Sequence, residues 1–142
     1  MWSQLGVGPW AFAELAAATP PLERPHERAA LELERGNALQ NLSDHAAAIA
    51  AFARAGAAAA ASSTTRIVRA ARLNEAYSLA ELGRAADATH ALADAAALDP
   101  DDELRSVRRA IEARLARAAG ELGRAAQILD GELAATAPDH TD

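Results

Sequence analysis

The chain has 142 residues, a formal net charge of −6 and no cysteine. That length allows one domain with a real core; the missing cysteine excludes disulfides, thiolate nucleophiles and cysteine-based zinc sites; and an acidic balance with no long basic run argues against nucleic acid as a partner. All 14 basic residues are arginine, and 42 residues are alanine. Alanine is the best helix former but buries little area, so the core must rest on close helix approach plus a modest set of larger residues. With abundant Ala, Gly and Arg, the composition reads as that of a GC-rich bacterial genome. No apolar stretch reaches the roughly 18 residues that suggest a membrane span, and the N-terminus lacks the basic start of a signal peptide. The expected location is the cytoplasm, with no membrane partner.

In chain order, residues 2–18 form an apolar segment holding both tryptophans and one of the two phenylalanines. Its later part, 10–18, is predicted as a short helix. Pro20, Pro21 and Pro25 break the chain. Six helices are predicted after them. The first covers 25–41, and the second 44–61 with Asp44 as N-cap. Ser62, Ser63, Thr64 and Thr65 break the pattern and offer capping hydroxyls to the third helix, 65–82. Gly83 ends that helix in the position that tolerates left-handed geometry. The fourth helix covers 84–98, and Asp99-Pro100-Asp101-Asp102 stops it and starts the next. The fifth is long, 102–120, stopping at Gly120 or Gly123; the sixth covers 124–136, and 137–142 is a loose tail. No segment alternates with the period of a strand.

A repeat organises these elements. Ala80-Glu81-Leu82-Gly83-Arg84-Ala85-Ala86 recurs forty residues later as Gly120-Glu121-Leu122-Gly123-Arg124-Ala125-Ala126. Asn41-Leu42-Ser43-Asp44-His45-Ala46, forty residues earlier, has the same shape without the glycine. Self-similarity at this period marks a stacked repeat protein. The chain divides into an N-terminal cap (1–24), three helix pairs (25–62, 63–101 and 102–136) and the tail.

Small and large residues fall at regular places in the pairs. The first pair has Gly36, Ala48 and Ala55 with Leu39 and Phe52, and the second has Ala76, Ala88 and Ala95 with Leu79, Leu92 and Pro100. This pattern resembles the tetratricopeptide repeat, with repeats at 29–62, 69–102 and 109–142. The third is weaker: Ala116 and Ala135 fit, but Ile128 takes a small-residue place and Glu132 a large apolar one. Charge at Glu32, Arg35, Arg72 and Glu75 shifts the register by a residue or rotates the first helix of each pair. The resemblance implies an all-α, right-handed α-solenoid of three antiparallel helix pairs whose first helices line a concave groove.

The implied function is non-catalytic binding of another protein or a peptide segment, as an adaptor or scaffold. Asn37, Gln40, Asn41, Asn74, Tyr77, Arg114 and Arg117 are the candidate contacts. Asn37, Asn74 and Arg114 match three of the five positions with which one subclass holds a peptide's terminal carboxylate; Leu33 and Ala110 stand where it has lysines. Asparagine suits a peptide backbone and arginine a carboxylate. The competing reading has the asparagines as solvated or capping residues and Arg114 paired with a nearby glutamate. The cluster Arg105, Arg108, Arg109, Arg114 and Arg117 is either a salt-bridged face or a landing site for an acidic partner. No catalytic constellation, metal site or cofactor motif is present: the four histidines are scattered without metal-ligand spacing, and His45 reads as a packing residue between helices. The alternative function is structural self-association into a homodimer through Trp2, Trp10, Leu129 and Leu133, because the last pair leaves Leu129, Leu133 and Ile128 at risk of exposure.

Overall fold

The computed structural model describes residues 24–137. Six helices fill this span, with no strand among the described residues: α1 (Pro25–Asn41), α2 (His45–Ala61), α3 (Thr65–Glu81), α4 (Ala85–Ala97), α5 (Arg105–Ala118) and α6 (Leu122–Thr136). Residues 1–23, with Trp2 and Trp10 and all but the last residue of the expected cap (1–24), and residues 138–142 of the expected tail (137–142) lie outside the described residues.

Four of the five connections are the same tight turn. At the end of α3, Gly83 N–H bonds the Ala80 carbonyl and Arg84 N–H bonds the Leu79 carbonyl, the paired bonds of a Schellman motif. The residue in the turn needs a positive φ. Gly83 supplies it at 75° and Gly120 at 82°, while Ser43 and Ser63 adopt 60° and 59° without glycine's freedom. Asp44 caps α2 as its sequence position predicts, its carboxylate accepting from Ala47 N–H. The hydroxyls at 62–64 act differently from expectation. Ser62 Oγ donates back to the carbonyls of Ala58 and Ala59, closing α2 and leaving α3 without a side-chain cap.

The fifth connection, between α4 and α5, is longer. Buried Asp99 accepts from the backbone N–H groups of Glu103 and Leu104 and pairs with Arg69 of α3 at 3.2 Å. These bonds hold the chain in turns, with Asp102 at φ 54°. Helix α5 therefore starts at 105 rather than the expected 102.

Its end falls at the first of the two expected stops: Gly120 makes the turn, and Gly123 lies inside α6. The turn falls 37 residues after Gly83, so the third pair does not follow the forty-residue period of its own sequence motif. The offset moves each later assignment by three residues. Ile128, expected at the surface, is buried with Ala113, Ala116 and Ala125; Ala135 is exposed, and Glu132 faces α5 in its place.

Consecutive helices pack on each other through these turns, α1 on α2, α2 on α3, α3 on α4 and α5 on α6, and short turns make such neighbours antiparallel. The first helices also touch lightly, α1 with α3 and α3 with α5, and α4 meets α5 just as lightly, far less closely than α2 meets α3. In the first two pairs, side-chain sizes are matched. Phe52 lies against Gly36, and the equivalent places in the second pair hold Leu92 and Ala76 in one core. The charged residues that sat badly in the repeat pattern clasp the pairs: Glu32 holds Arg54 at 3.2 Å, Arg72 holds Asp94, and Glu132 accepts from Arg105 and Ser106. A carboxylate–guanidinium pair thus joins the two helices where a larger apolar residue was expected.

Candidate functional site

Helices α1, α3 and α5 share one face, and a pocket of about 280 Å³ opens on it. Gln40 comes from α1, Asn74 and Tyr77 from α3, and Val107, Ala110, Ile111 and Arg114 from α5. Ile111 belongs to the main core and forms the apolar floor; Val107 is half exposed at the rim. Of the α5 side chains that line it, Val107 and Ala110 are small.

A chain of polar contacts runs along the rim. Asn74 Nδ2 donates to Asn37 Oδ1 at 2.9 Å. Gln40 Nε2 donates to the Asn74 carbonyl at 3.0 Å and to Ser78 Oγ at 2.9 Å. Ser78, fully buried, shares a 3.1 Å hydrogen bond with His45 Nδ1, and the His45 ring tilts against Tyr77 with centroids 6.3 Å apart. Arg114 completes the chain. Its guanidinium lies 5.0 Å from the centroid of the Tyr77 ring, a cation–π contact worth about 0.5–1 kcal/mol near the surface, and it pairs with Glu81.

Five of the seven candidate contacts, Asn37, Gln40, Asn74, Tyr77 and Arg114, thus form one connected group. Asn41 and Arg117 are exposed beside it and make no side-chain hydrogen bond or ion pair among the described residues. Arg114 is engaged by a glutamate, the competing reading of its role. The asparagines are half-buried and cap no helix: their mutual hydrogen bond joins α3 to α1. The three-residue offset also changes what Arg114 matches. It takes the place that Tyr77 and Asn37 hold in their pairs, not that of Asn74, so the three-residue match to a carboxylate clamp falls to two.

Sequence reasoning missed Ser78 as a member of this group and took His45 for packing alone. The available signal was a lone serine on the otherwise apolar face of Leu73, Ala76 and Leu79, where a buried hydroxyl requires a partner. Of the arginine cluster, Arg105 pairs with Glu132, Arg108 with Asp102, Arg109 with Glu112 and Arg114 with Glu81. Only Arg117 has no carboxylate among the described residues.

Among the described residues, no group of three or more His, Asp or Glu is placed to hold a metal ion, and no helix is long and apolar enough to cross a membrane. Comparison with protein-family models, curated proteins and solved structures finds no match to the chain.

Proposed function

We propose that this chain is a non-catalytic binding module that takes a peptide segment of another protein across the shared face of α1, α3 and α5. The reading treats the six helices as three tetratricopeptide-like pairs stacked in a right-handed solenoid, with that face as the groove. The contacts of α1 with α3 and of α3 with α5 support the stacking.

The observation that carries the function is an apolar pocket rimmed by unused amide atoms. Gln40 Oε1, Asn37 Nδ2 and Asn74 Oδ1 make no hydrogen bond among the described residues. Their other halves are held in place by the rim network, so they are oriented before a ligand arrives. An apolar cavity with a few fixed donors and acceptors suits one side chain plus the backbone around it. Arg117 favours an acidic residue flanking that side chain.

Replacing Ala110 with leucine tests this. Ala110 is exposed at the rim, so the larger side chain fills the pocket without entering the core. Random peptides selected by display on the wild type should bind Ala110→Leu at least about tenfold more weakly, a change of roughly 1.4 kcal/mol, with unchanged helical CD and melting temperature. Equal binding to both proteins, or no enrichment of peptides on the wild type, refutes the groove.

A further inference from the structure

The chain offers one helix face three times. On α2 it is His45, Ile49, Phe52 and Gly56, and α3 covers it. Phe52 packs with Ala71, Ile49 packs against the cluster around Leu73, and His45 reaches Ser78. On α4 the same face is Ala85, Thr89, Leu92 and Ala96. Leu92 shares a core with Ile111 of α5, and all four line an open cleft of about 450 Å³ on the α5 side. On α6 the face is Leu122, Ala126, Leu129 and Leu133. Helix α6 packs against α5 alone among the described helices, so nothing described lies over it. Leu122, Leu129 and Leu133 are 65%, 44% and 68% exposed, whereas Phe52 and Leu92, the equivalents of Leu129, are 0% and 4% exposed.

We infer that a second copy of this chain covers the α6 face, helix against helix about a two-fold axis. A two-fold contact must be self-complementary, and this stripe is. Its spacing of four, three and four residues is that of a helix–helix seam. When two copies run antiparallel, Leu122 meets Leu133 of the partner subunit, and Ala126 meets Leu129 of the partner subunit, small against large. The seam carries no charge. The equivalent covering face at the other end of the molecule does. Ala71 and Ser78 of α3, which meet α2, correspond to Leu31 and Ala38 of α1, and there they alternate with Glu27 and Glu34. Stacking α1 of one copy on α6 of another would strip water from two carboxylates against leucine, so head-to-tail growth is disfavoured and the closed dimer is the fitting arrangement. The residues that follow α6, 138–142, hold no large apolar side chain to lay across it.

The test is the mass of the full chain in solution by light scattering or sedimentation equilibrium. The wild type should reach twice the 14.7 kDa chain mass as concentration rises through the micromolar range. Leu129→Lys/Leu133→Lys should remain at the chain mass, with its dissociation constant raised at least about a hundredfold. Both positions are exposed, so its CD spectrum should match the wild type. Because the chain lacks cysteine, Ala126→Cys mixed with Leu129→Cys should form a disulfide-linked heterodimer, while Arg66→Cys, on the exposed surface of α3, should not cross-link. A wild type that stays at the chain mass, or a dimer that survives the double lysine variant, overturns the inference. A monomer whose tryptophan emission shifts on Leu129→Lys also overturns it, because the N-terminal segment then occupies the face.

Discussion

Replacing Gly36 with alanine tests how the helix pairs are sized. A β-carbon at Gly36 would stand 2.4 Å from Phe52 Cε1 and 2.5 Å from Cδ1, where carbon atoms are comfortable at about 3.5–4.0 Å. The ring is fully buried and has no solvent side to swing into. Overpacking of a sealed core costs roughly 1–3 kcal/mol, and an overlap of this size belongs near the top of that range. Alanine in place of a mid-helix glycine offsets about 1 kcal/mol, leaving a net loss of about 2 kcal/mol. Phe52→Leu alone leaves a gap against Gly36 and loses roughly 1–2 kcal/mol. The double variant Gly36→Ala/Phe52→Leu reproduces the Ala76 and Leu92 combination of the second pair, and should return to within about 0.5 kcal/mol of the wild type. The two changes are then coupled by about 3 kcal/mol, far outside additivity. Urea unfolding followed by far-UV CD measures all four proteins. If Gly36→Ala stabilises by the propensity gain alone, or if the two losses add, the close approach of α1 and α2 is wrong.

Two further perturbations separate other claims. Gly83 and Gly123 sit at the same place in a repeated sequence but in different structures: Gly123→Ala, in the first turn of α6, should stabilise by a fraction of the roughly 1 kcal/mol of a helix interior, whereas Gly83→Ala and Gly120→Ala, at positive φ, should each destabilise by roughly 1 kcal/mol, as read by thermal melting. Desolvation works against the charge on Arg72, but hydrogen bonds and attraction to Asp94 and Glu75 outweigh it and raise its pKa; the hydrogen bond from Arg72 in turn holds the Asp94 carboxyl below the usual carboxylate range. A lowered acid contributes stability that is present above its unfolded pKa and lost as pH falls through its folded one, so urea titrations from pH 7 to about pH 3 should show a shallower loss in Asp94→Asn than in the wild type, and equal slopes would remove the pair from the account.

The helices were legible because their ends carry local chemistry. Asp44 acts through its carboxylate on the next turn and Gly83 through its backbone geometry, and no distant contact is needed to read them. The third pair was not legible for the same reason. Glu121-Leu122-Gly123-Arg124 works equally well as a turn or as the first turn of a helix, and a glycine three residues earlier competes for the left-handed position. The choice is made by burial. With the turn at Gly120, Ala125 and Ile128 face Ala113 and Ala116; with the turn at Gly123 that set would rotate away from α5. Tertiary packing decided what local pattern left degenerate. At the candidate site, the five residues that the structure brings together were visible from their places along the first helices. The bonds between them were not, because Gln40 and Ser78 are 38 residues apart and only the stacking of α1 on α3 brings them together. The charges at Glu32 and Arg72 looked like errors of register because the expectation was an apolar neighbour; each has an opposite charge on the facing helix.

Alanine content links the two surfaces. A helix surface built from alanine lets backbones approach closely but fills little volume, so this chain keeps few large apolar residues, and the exposed ones are informative. Among the described residues they are Leu42, Leu82, Val107, Leu122, Leu129 and Leu133. Leu42 and Leu82 occupy the same place at the ends of α1 and α3, immediately before the residue of positive φ, and belong to the turns. Val107 stands at the rim of the pocket between α3 and α5. The other three form one seam on α6. Among the described residues, no large apolar side chain is exposed outside a turn, the pocket or the seam. The pocket faces α1 and α3, while the seam faces away from α5 on the last helix, so neither surface requires the other to be occupied. If both proposals hold, a change at Ala110 should alter peptide capture alone and a change at Leu129 should alter mass alone. A variant of either kind that altered both properties would show that the two faces are not separate.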